Sequence, residues 1–214
     1  MKDNLAQRKA YSPSCERNRD PILALLKEVF ADKKYVLEIG SGTGQHAVYF
    51  GERLAHLRWQ PSNQAGGLDS VSAWVEDAGL PNVNPPVALD LFEDDWSETL
   101  GLDAALSSPR VDALVAINVI HIAPWEATEH LFRHAEALLD AGGVVFLYGP
   151  YRYADRALEP SNENFDAWLR RRDPASGIRD FEAVNAIAES HGFERVEDRA
   201  MPANNRSIWW RKLA

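Results

Sequence analysis

Two short stretches of this 214-residue chain hold residue types able to do chemistry. The first, Glu38-Ile39-Gly40-Ser41-Gly42-Thr43-Gly44, sets three glycines at alternate positions behind an acidic residue. Glycine reaches positive φ without a steric penalty and lets backbone approach a ligand closely. Placed between a strand and a helix, such a loop aims helix N-terminal amides at that ligand. A dinucleotide fingerprint, G-x-G-x-x-G, needs glycine at position 45. The chain has Gln45 there, which disfavours a nicotinamide dehydrogenase. The second stretch, Ile117-Asn118-Val119-Ile120-His121-Ile122-Ala123-Pro124-Trp125-Glu126, ends an apolar run with an asparagine, an imidazole and a Pro-Trp pair. An imidazole titrates near working pH, so His121 reads as a general base or as a buried, hydrogen-bonded histidine that fixes the loop. Proline at the first position of the next helix gives that turn a structural explanation too.

The remaining candidates are weaker. His46 packs or caps the helix after the glycine loop. His130 and His134 stand at i, i+4, a metal-capable spacing that lacks a third ligand nearby in sequence, so a solvated helix face is the expectation. Arg170-Arg171-Arg172 invites an anion, but the surrounding segment balances six arginines with six carboxylates and reads as a paired surface. A single cysteine, Cys15, excludes an internal disulfide and a multi-thiolate metal site.

The elements that must carry these residues alternate. A helix with Asp20 as N-cap and Pro21 at its first position precedes the strand Tyr35-Val36-Leu37-Glu38-Ile39. A helix follows over 45–54. Leu57-Arg58-Trp59-Gln60-Pro61 is a second strand stopped by proline, followed by a helix with Leu68, Val71, Trp74 and Val75 on one side. Val87-Ala88-Leu89-Asp90 is a third strand, then a short segment over 94–100, the strand 113–117, a helix over 125–139 and the strand 144–148. This alternation means an α/β protein with a mainly parallel sheet. Residues 149–180 break it, with one amphipathic piece at 164–170, and loops of that length are commonly lids. A helix over 180–190 and strands over 193–200 and 206–212, joined through Met201-Pro202-Ala203-Asn204-Asn205, form a final antiparallel hairpin. The expectation is a single domain, 1–214, with a lid-like insert. Tyr151, Asn162 and Phe165 are types that line a small-molecule pocket. Asn204 either caps that pocket or simply makes the hairpin turn.

Bulk properties narrow the partners. The net charge of −9 leaves no basic surplus for phosphate neutralisation, so nucleic acid is not an expected partner. No apolar run approaches the ~18 residues that span a bilayer, and no membrane partner is expected. The N-terminal stretch lacks an apolar secretory core, which points to a soluble, cytoplasmic protein.

The E-x-G-x-G-x-G pattern resembles motif I of class I S-adenosylmethionine-dependent methyltransferases. The likeness extends over nearly the whole chain. Glu16-Arg17-Asn18, Trp59-Gln60-Pro61-Ser62, the 117–126 stretch, Tyr148-Gly149-Pro150-Tyr151, Pro160-Ser161-Asn162, Arg172-Asp173-Pro174, Gly177-Ile178-Arg179-Asp180 and Met201-Pro202-Ala203-Asn204-Asn205 stand in the order of the DUF938 family. That family includes the methyltransferase-like 26 proteins. The resemblance implies a Rossmann-like, seven-stranded, mostly parallel sheet flanked by helices, with a C-terminal antiparallel hairpin. It implies S-adenosyl-L-methionine as cofactor, held by Glu38, Gly40, Gly42, Gly44, Asn63, Asp90, Leu91 and Asn118. Asp90 would accept from the adenine amino group with Leu91 against the ring. Asn63 stands where the family generally reads an aspartate for the ribose hydroxyls; read as a turn residue, it has no such role. The end of the fourth strand would lie beside the transferred methyl, which makes His121 the catalytic candidate. Arg17, Asn18, Tyr151, Asn162 and Asn204 are the substrate-binding candidates. A methyltransferase acting on a small-molecule acceptor is the expected function; a non-catalytic module of the same fold that senses or scaffolds is the alternative.

Overall fold

The computed structural model describes residues 2–96, 99–100 and 110–214, with side chains from residue 5 onward. Seven strands form one sheet in the order β3-β2-β1-β4-β5-β9-β8, with a separate two-stranded pair, β6-β7. This is the expected Rossmann-like architecture. The chain divides into two compact units, Met1–Val115 and Ala116–Ala214, the division falling within β4 (Ala113–Ile117).

The first unit comprises α1 (Lys2–Arg8), α2 (Pro13–Val29), β1 (Tyr35–Ile39), α3 (Gln45–Arg53), β2 (Arg58–Asn63), α4 (Leu68–Ala78) and β3 (Val87–Ala88). Every residue of β1 is buried. A strand covered on both faces needs a continuous apolar run, which Tyr35-Val36-Leu37 supplies. Asp112 pins its start, accepting from the Lys34 and Tyr35 amides at 2.8 and 2.9 Å. β1 and β2 run parallel, with Glu38 opposite Pro61.

Two prolines behave differently from the sequence expectation. The helix begins at Pro13, not Pro21: Ser12 is its extended N-cap residue and Pro21 lies inside. Pro13 stands where a missing N–H costs nothing, and Pro21 gives up one helical bond. Burial of Ile22, Leu23, Leu25 and Leu26 carries the helix through. Pro61 does not stop β2, which continues to Asn63. Trp59, on the same edge, donates to Asn82 O and accepts from the Asn84 amide at 2.8 and 2.9 Å. Pairing with β3 resumes only at Ser62–Val87, so Pro61 falls where no donor is used. The Gln60 side-chain amide fills the gap, donating to Pro61 O and Pro85 O at 3.0 and 2.8 Å. β3 is only two residues long, and Asp90 lies beyond its end. Of the segment expected over 94–100, residues 97–98 lie outside the described residues; Trp96 is buried and donates through Nε1 to Asp90 O at 2.9 Å.

The second unit holds α5 (Glu126–Leu138), β5 (Val144–Gly149), β6 (Tyr151–Arg152), α6 (Pro160–Arg172), β7 (Arg179–Asp180), α7 (Phe181–Ser190), β8 (Phe193–Met201) and β9 (Asn205–Lys212). β8 and β9 form the expected antiparallel hairpin, and β9 pairs antiparallel with β5. Phe132 packs edge-on against both Phe193 and Trp210, with centroids 5.7 and 5.5 Å away. The 149–180 segment is more ordered than expected. Its amphipathic piece is a full 13-residue helix, α6, and its ends pair in parallel, Tyr151 with Arg179. Leu158, Leu169 and Ile178, with Phe165 against them, give it a small core of its own. His134 is buried, not solvated as the i, i+4 reading expected, because it shares the inward face of α5 with Leu131 and Ala135. Among the described residues no helix is long and apolar enough to cross a membrane, and no group of three metal-ligating side chains could hold an ion.

Candidate functional site

Gly40, Gly42 and Gly44 all take left-handed backbone, at φ +66°, +56° and +93°. The two later glycines differ in what surrounds them. A Cβ on Gly44 would meet Val71 Cα at 2.8 Å, so glycine there permits close contact with α4. A Cβ on Gly42 would meet nothing within 4 Å, and the residue is exposed. The loop is anchored to β2. Ser41 N donates to Ser62 O at 2.7 Å, Ser62 N to Ser41 Oγ at 3.1 Å and Ser62 Oγ to Glu38 O at 2.6 Å. Gln45, the residue that broke the dinucleotide fingerprint, is buried and has a task. Its Oε1 accepts from the Ser12 amide at 2.6 Å and its Nε2 donates to Glu16 Oε1 at 3.2 Å, joining the starts of α3 and α2.

Glu38 is 2% exposed and accepts from Trp59 Nε1 at 2.9 Å. Burial pushes its carboxyl up to about 7, and hydrogen bonds from Trp59 and Ser41 recover only part of that cost. Behind the loop, His46 Nε2 donates to Asn18 Oδ1 at 2.8 Å, and its ring stacks on Phe50 at 5.2 Å. Burial, then Arg19, pulls the His46 pKa down to about 4, so it is a neutral packing residue. Asn18 is buried by that bond, whereas Arg17 is exposed and donates to Ser14 Oγ at 3.0 Å.

At the end of β2 the Asn63 amide is fully engaged. Its Nδ2 donates to Gly42 O and Gly67 O at 3.4 and 3.3 Å, and its Oδ1 accepts from the Gln64 amide at 3.0 Å. Asp90 Oδ2 accepts from Gln64 Nε2 at 3.1 Å, and Oδ1 from the Phe92 amide at 3.0 Å. Gln64 thus brings Asp90 to the Asn63 turn, a link that no sequence pattern indicated. Leu91 is half-buried beside it.

In the second unit, Asn118 ends β4 in left-handed backbone, φ +59°, its amide donating to Tyr148 O at 2.8 Å. Asparagine is among the few residues that visit this region, and strain of this kind clusters at functional turns. His121 is 2% exposed and meets the Phe165 ring edge-on at 5.8 Å. A Cβ on Gly149 would meet its Cε1 at 2.8 Å, so glycine at the end of β5 makes room for the imidazole. Burial, and after it the neighbouring Arg179, lowers the His121 pKa to about 4. The imidazole is therefore neutral at ordinary pH. Arg179, itself 9% exposed, was not a sequence candidate, since it was counted among paired surface charges. Three other arginines of its segment do pair: Arg152 and Arg170 both reach Asp166 Oδ2, and Arg156 reaches Asp155. Asn162 is buried and donates to Asn204 O at 3.0 Å, while Asn204 Nδ2 donates to Ser161 Oγ at 3.0 Å, so α6 docks on the hairpin turn through the two. The Tyr151 hydroxyl is buried without a hydrogen-bond partner among the described residues.

Comparison with known proteins agrees with this architecture. The fold is similar to that of an O-methyltransferase family protein from Burkholderia thailandensis, at TM-score 0.76 and 14% identity, over 94% of this chain and 57% of that one. It is similar to an O-methyltransferase family 2 protein from Planctomyces limnophilus in complex with apigenin, at TM-score 0.68 and 14% identity, over 91% and 62%. Human N-acetylserotonin methyltransferase in complex with S-adenosylmethionine matches at TM-score 0.65 and 15% identity, over 93% and 57%. The chain spans less than two thirds of the length of each, and at such identities the likeness is one of fold. A family model described as "Protein of unknown function (DUF938)" matches residues 9–212, a span that holds the glycine loop, the β4 turn and the hairpin alike. On that match, the chain is a member of the DUF938 family, built on the class I methyltransferase fold.

Proposed function

We propose that this protein is an S-adenosylmethionine-dependent methyltransferase acting on a small-molecule acceptor. The observation that carries this reading is the glycine loop, three left-handed residues with Gly42 exposed and open in front of the buried Glu38. The residues fit the cofactor. Among the described residues Glu38 is balanced only by the neutral donors Trp59 and Ser41, so a ligand that brings an ammonium offsets its burial. S-adenosylmethionine supplies a methyl group already activated on a sulfonium. The chain's own residues have the simpler work of holding, aligning and excluding water. In this reading Gly40, Gly42 and Gly44 present backbone to the amino-acid end, and Asn63, Asp90 and Leu91 complete the contacts that the first unit makes with the cofactor. A neutral His121 accepts a proton from an acceptor that arrives protonated.

Calorimetry with S-adenosylhomocysteine tests the reading: binding with Kd of roughly 1–100 µM is expected, and Gly42→Val should abolish it. No binding by the parent protein sinks the proposal. For His121→Ala, turnover should fall more than cofactor affinity; equal losses would make the residue structural.

A second reading, a non-catalytic module of the same fold, draws on Asn63. Its amide is spent on Gly42, Gly67 and Gln64, where a carboxylate would have served ribose hydroxyls. Cofactor bound without methyl transfer across a broad acceptor panel would favour it.

A further inference from the structure

Four consecutive carbonyls of the turn after β4 are taken by one short segment. Arg179 Nε donates to Ile120 O at 2.9 Å, the Gly177 amide to His121 O at 2.9 Å, Ser176 Oγ to Ile122 O at 2.9 Å, and Arg179 Nη2 to Ala123 O. Nη2 also reaches Ala175 O at 2.9 Å, which closes the segment on itself. The planar guanidinium donates from separate nitrogens, Nε and Nη2, to carbonyls three residues apart, where an ammonium has a single nitrogen to offer. The guanidinium is spent on backbone, although Asp166 and Asp180 lie in the same insert and pair with Arg152. Burying a cation this way is costly, and packing alone does not demand it.

The segment is in turn tied to α6. Ile178 N donates to Asp166 Oδ1 at 2.7 Å, and a Cβ on Gly177 would meet Arg170 Nη2 at 2.9 Å and Asp166 Oδ1 at 3.1 Å. Glycine there leaves room for the ends of both side chains. One residue before Asp166, Phe165 places its ring against the imidazole. The helix thus reaches His121 twice, directly through a ring edge and indirectly through the carbonyl clasp.

We propose that Arg179 is a positioning residue for His121, acting with Ser176 and Gly177 to fix the backbone on either side of the imidazole and hence its orientation at the carboxyl end of β4. The proposal rests on the reading of His121 as the acceptor-side group. It adds a residue that touches neither cofactor nor acceptor and on which the alignment of the base depends.

The test uses the full chain and nitrogen-15 NMR of the histidine rings, with hydrogen exchange at the Gly177 amide as a second readout. In Arg179→Ala the His121 ring resonances should shift, and Gly177 should exchange at least ~10-fold faster. Added guanidinium ion should return both toward the parent values, whereas Arg179→Lys should resemble Arg179→Ala. Unchanged His121 resonances in Arg179→Ala overturn the proposal. Should that variant fail to fold, Ser176→Ala removes one of the four bonds and is read the same way: a His121 shift with faster Gly177 exchange supports the clasp, and no change refutes it. The parent's titration with S-adenosylhomocysteine is scored separately. A parent that does not bind defeats the methyltransferase reading, while the His121–Arg179 dependence is still measured.

Discussion

Trp59 Nε1 and Glu38 Oε2 meet at 2.9 Å between adjacent parallel strands, a neutral donor facing a fully buried carboxylate. The bond orients Glu38 without neutralising it, and burial holds its pKa near 7.

The first prediction follows from that value. Unfolded, Glu38 titrates near 4.3; folded, it keeps its proton to about 7. Between those limits the folded state binds a proton that the unfolded state lacks, so stability falls as pH rises. At ~1.4 kcal/mol per unit the whole effect is about 4 kcal/mol. Glu38→Gln keeps an acceptor for Trp59 and should flatten the profile, gaining up to ~4 kcal/mol over the parent at pH 8 and little at pH 4. Urea midpoints at the two pH values decide it; parallel profiles would count against the buried-acid assignment.

A cationic ligand beside Glu38 should expel its proton. Titration of S-adenosylhomocysteine near pH 7 in buffers of different ionisation enthalpy should report release of up to roughly half a proton per site. Enthalpies that do not depend on the buffer would place the ligand's ammonium elsewhere.

The glycines separate backbone strain from space. Gly42→Ala suffers only the left-handed backbone penalty and should cost about 1 kcal/mol. Gly44→Ala adds a clash with the Val71 backbone and should cost a further ~1–3 kcal/mol. Equal denaturant midpoints for the two variants would mean that α4 yields.

Asn63→Asp removes the donor to Gly42 O and Gly67 O, and the apoprotein should lose about 1 kcal/mol. On the proposed cofactor reading it also supplies a charged acceptor for ribose, so S-adenosylhomocysteine affinity should rise roughly 3- to 30-fold. Weaker binding by the variant would show that Asn63 serves the loop alone.

His191 lies between Glu136 and Glu129, with Nδ1 2.7 Å from one carboxylate and Nε2 3.0 Å from the other. Partial burial opposes its protonation, but the two carboxylates outweigh burial and raise its pKa. Its stabilising contribution is therefore complete below the unfolded value of ~6.5 and disappears as pH rises through the folded value. His191→Gln should lower Tm at pH 6 and leave it nearly unchanged at pH 9. A Tm difference that does not vary with pH would reduce the clamp to packing.

The legible parts of this sequence were those governed by local rules. Alternating apolar runs gave the sheet, and the positions that required positive φ gave the loop at Gly40, Gly42 and Gly44. Pro61 and Pro21 misled because their cost depends on whether the lost donor had a partner, which only neighbouring strands and turns decide. α6 was read short because its ends carry polar residues: Asn162 at its start, whose partner lies on the hairpin turn, and Arg171 and Arg172 at its close. Arg179 looked like one more charge in a balanced segment. Its burial follows from carbonyls more than fifty residues away, and no periodicity records that.

The carbonyl clasp also fixes a length. Ser176, Gly177 and Arg179 must arrive in step with Ile122, His121 and Ile120, running in the opposite sense, while Asp166 holds the amide between Gly177 and Arg179. A single inserted residue between Ser176 and Arg179 would put the donors on either side of it one carbonyl out of step with each other. That stretch, unremarkable in composition, should therefore resist insertion and deletion as strictly as the spacing of the glycine loop, and it marks where this scaffold cannot be lengthened without remaking the turn at His121.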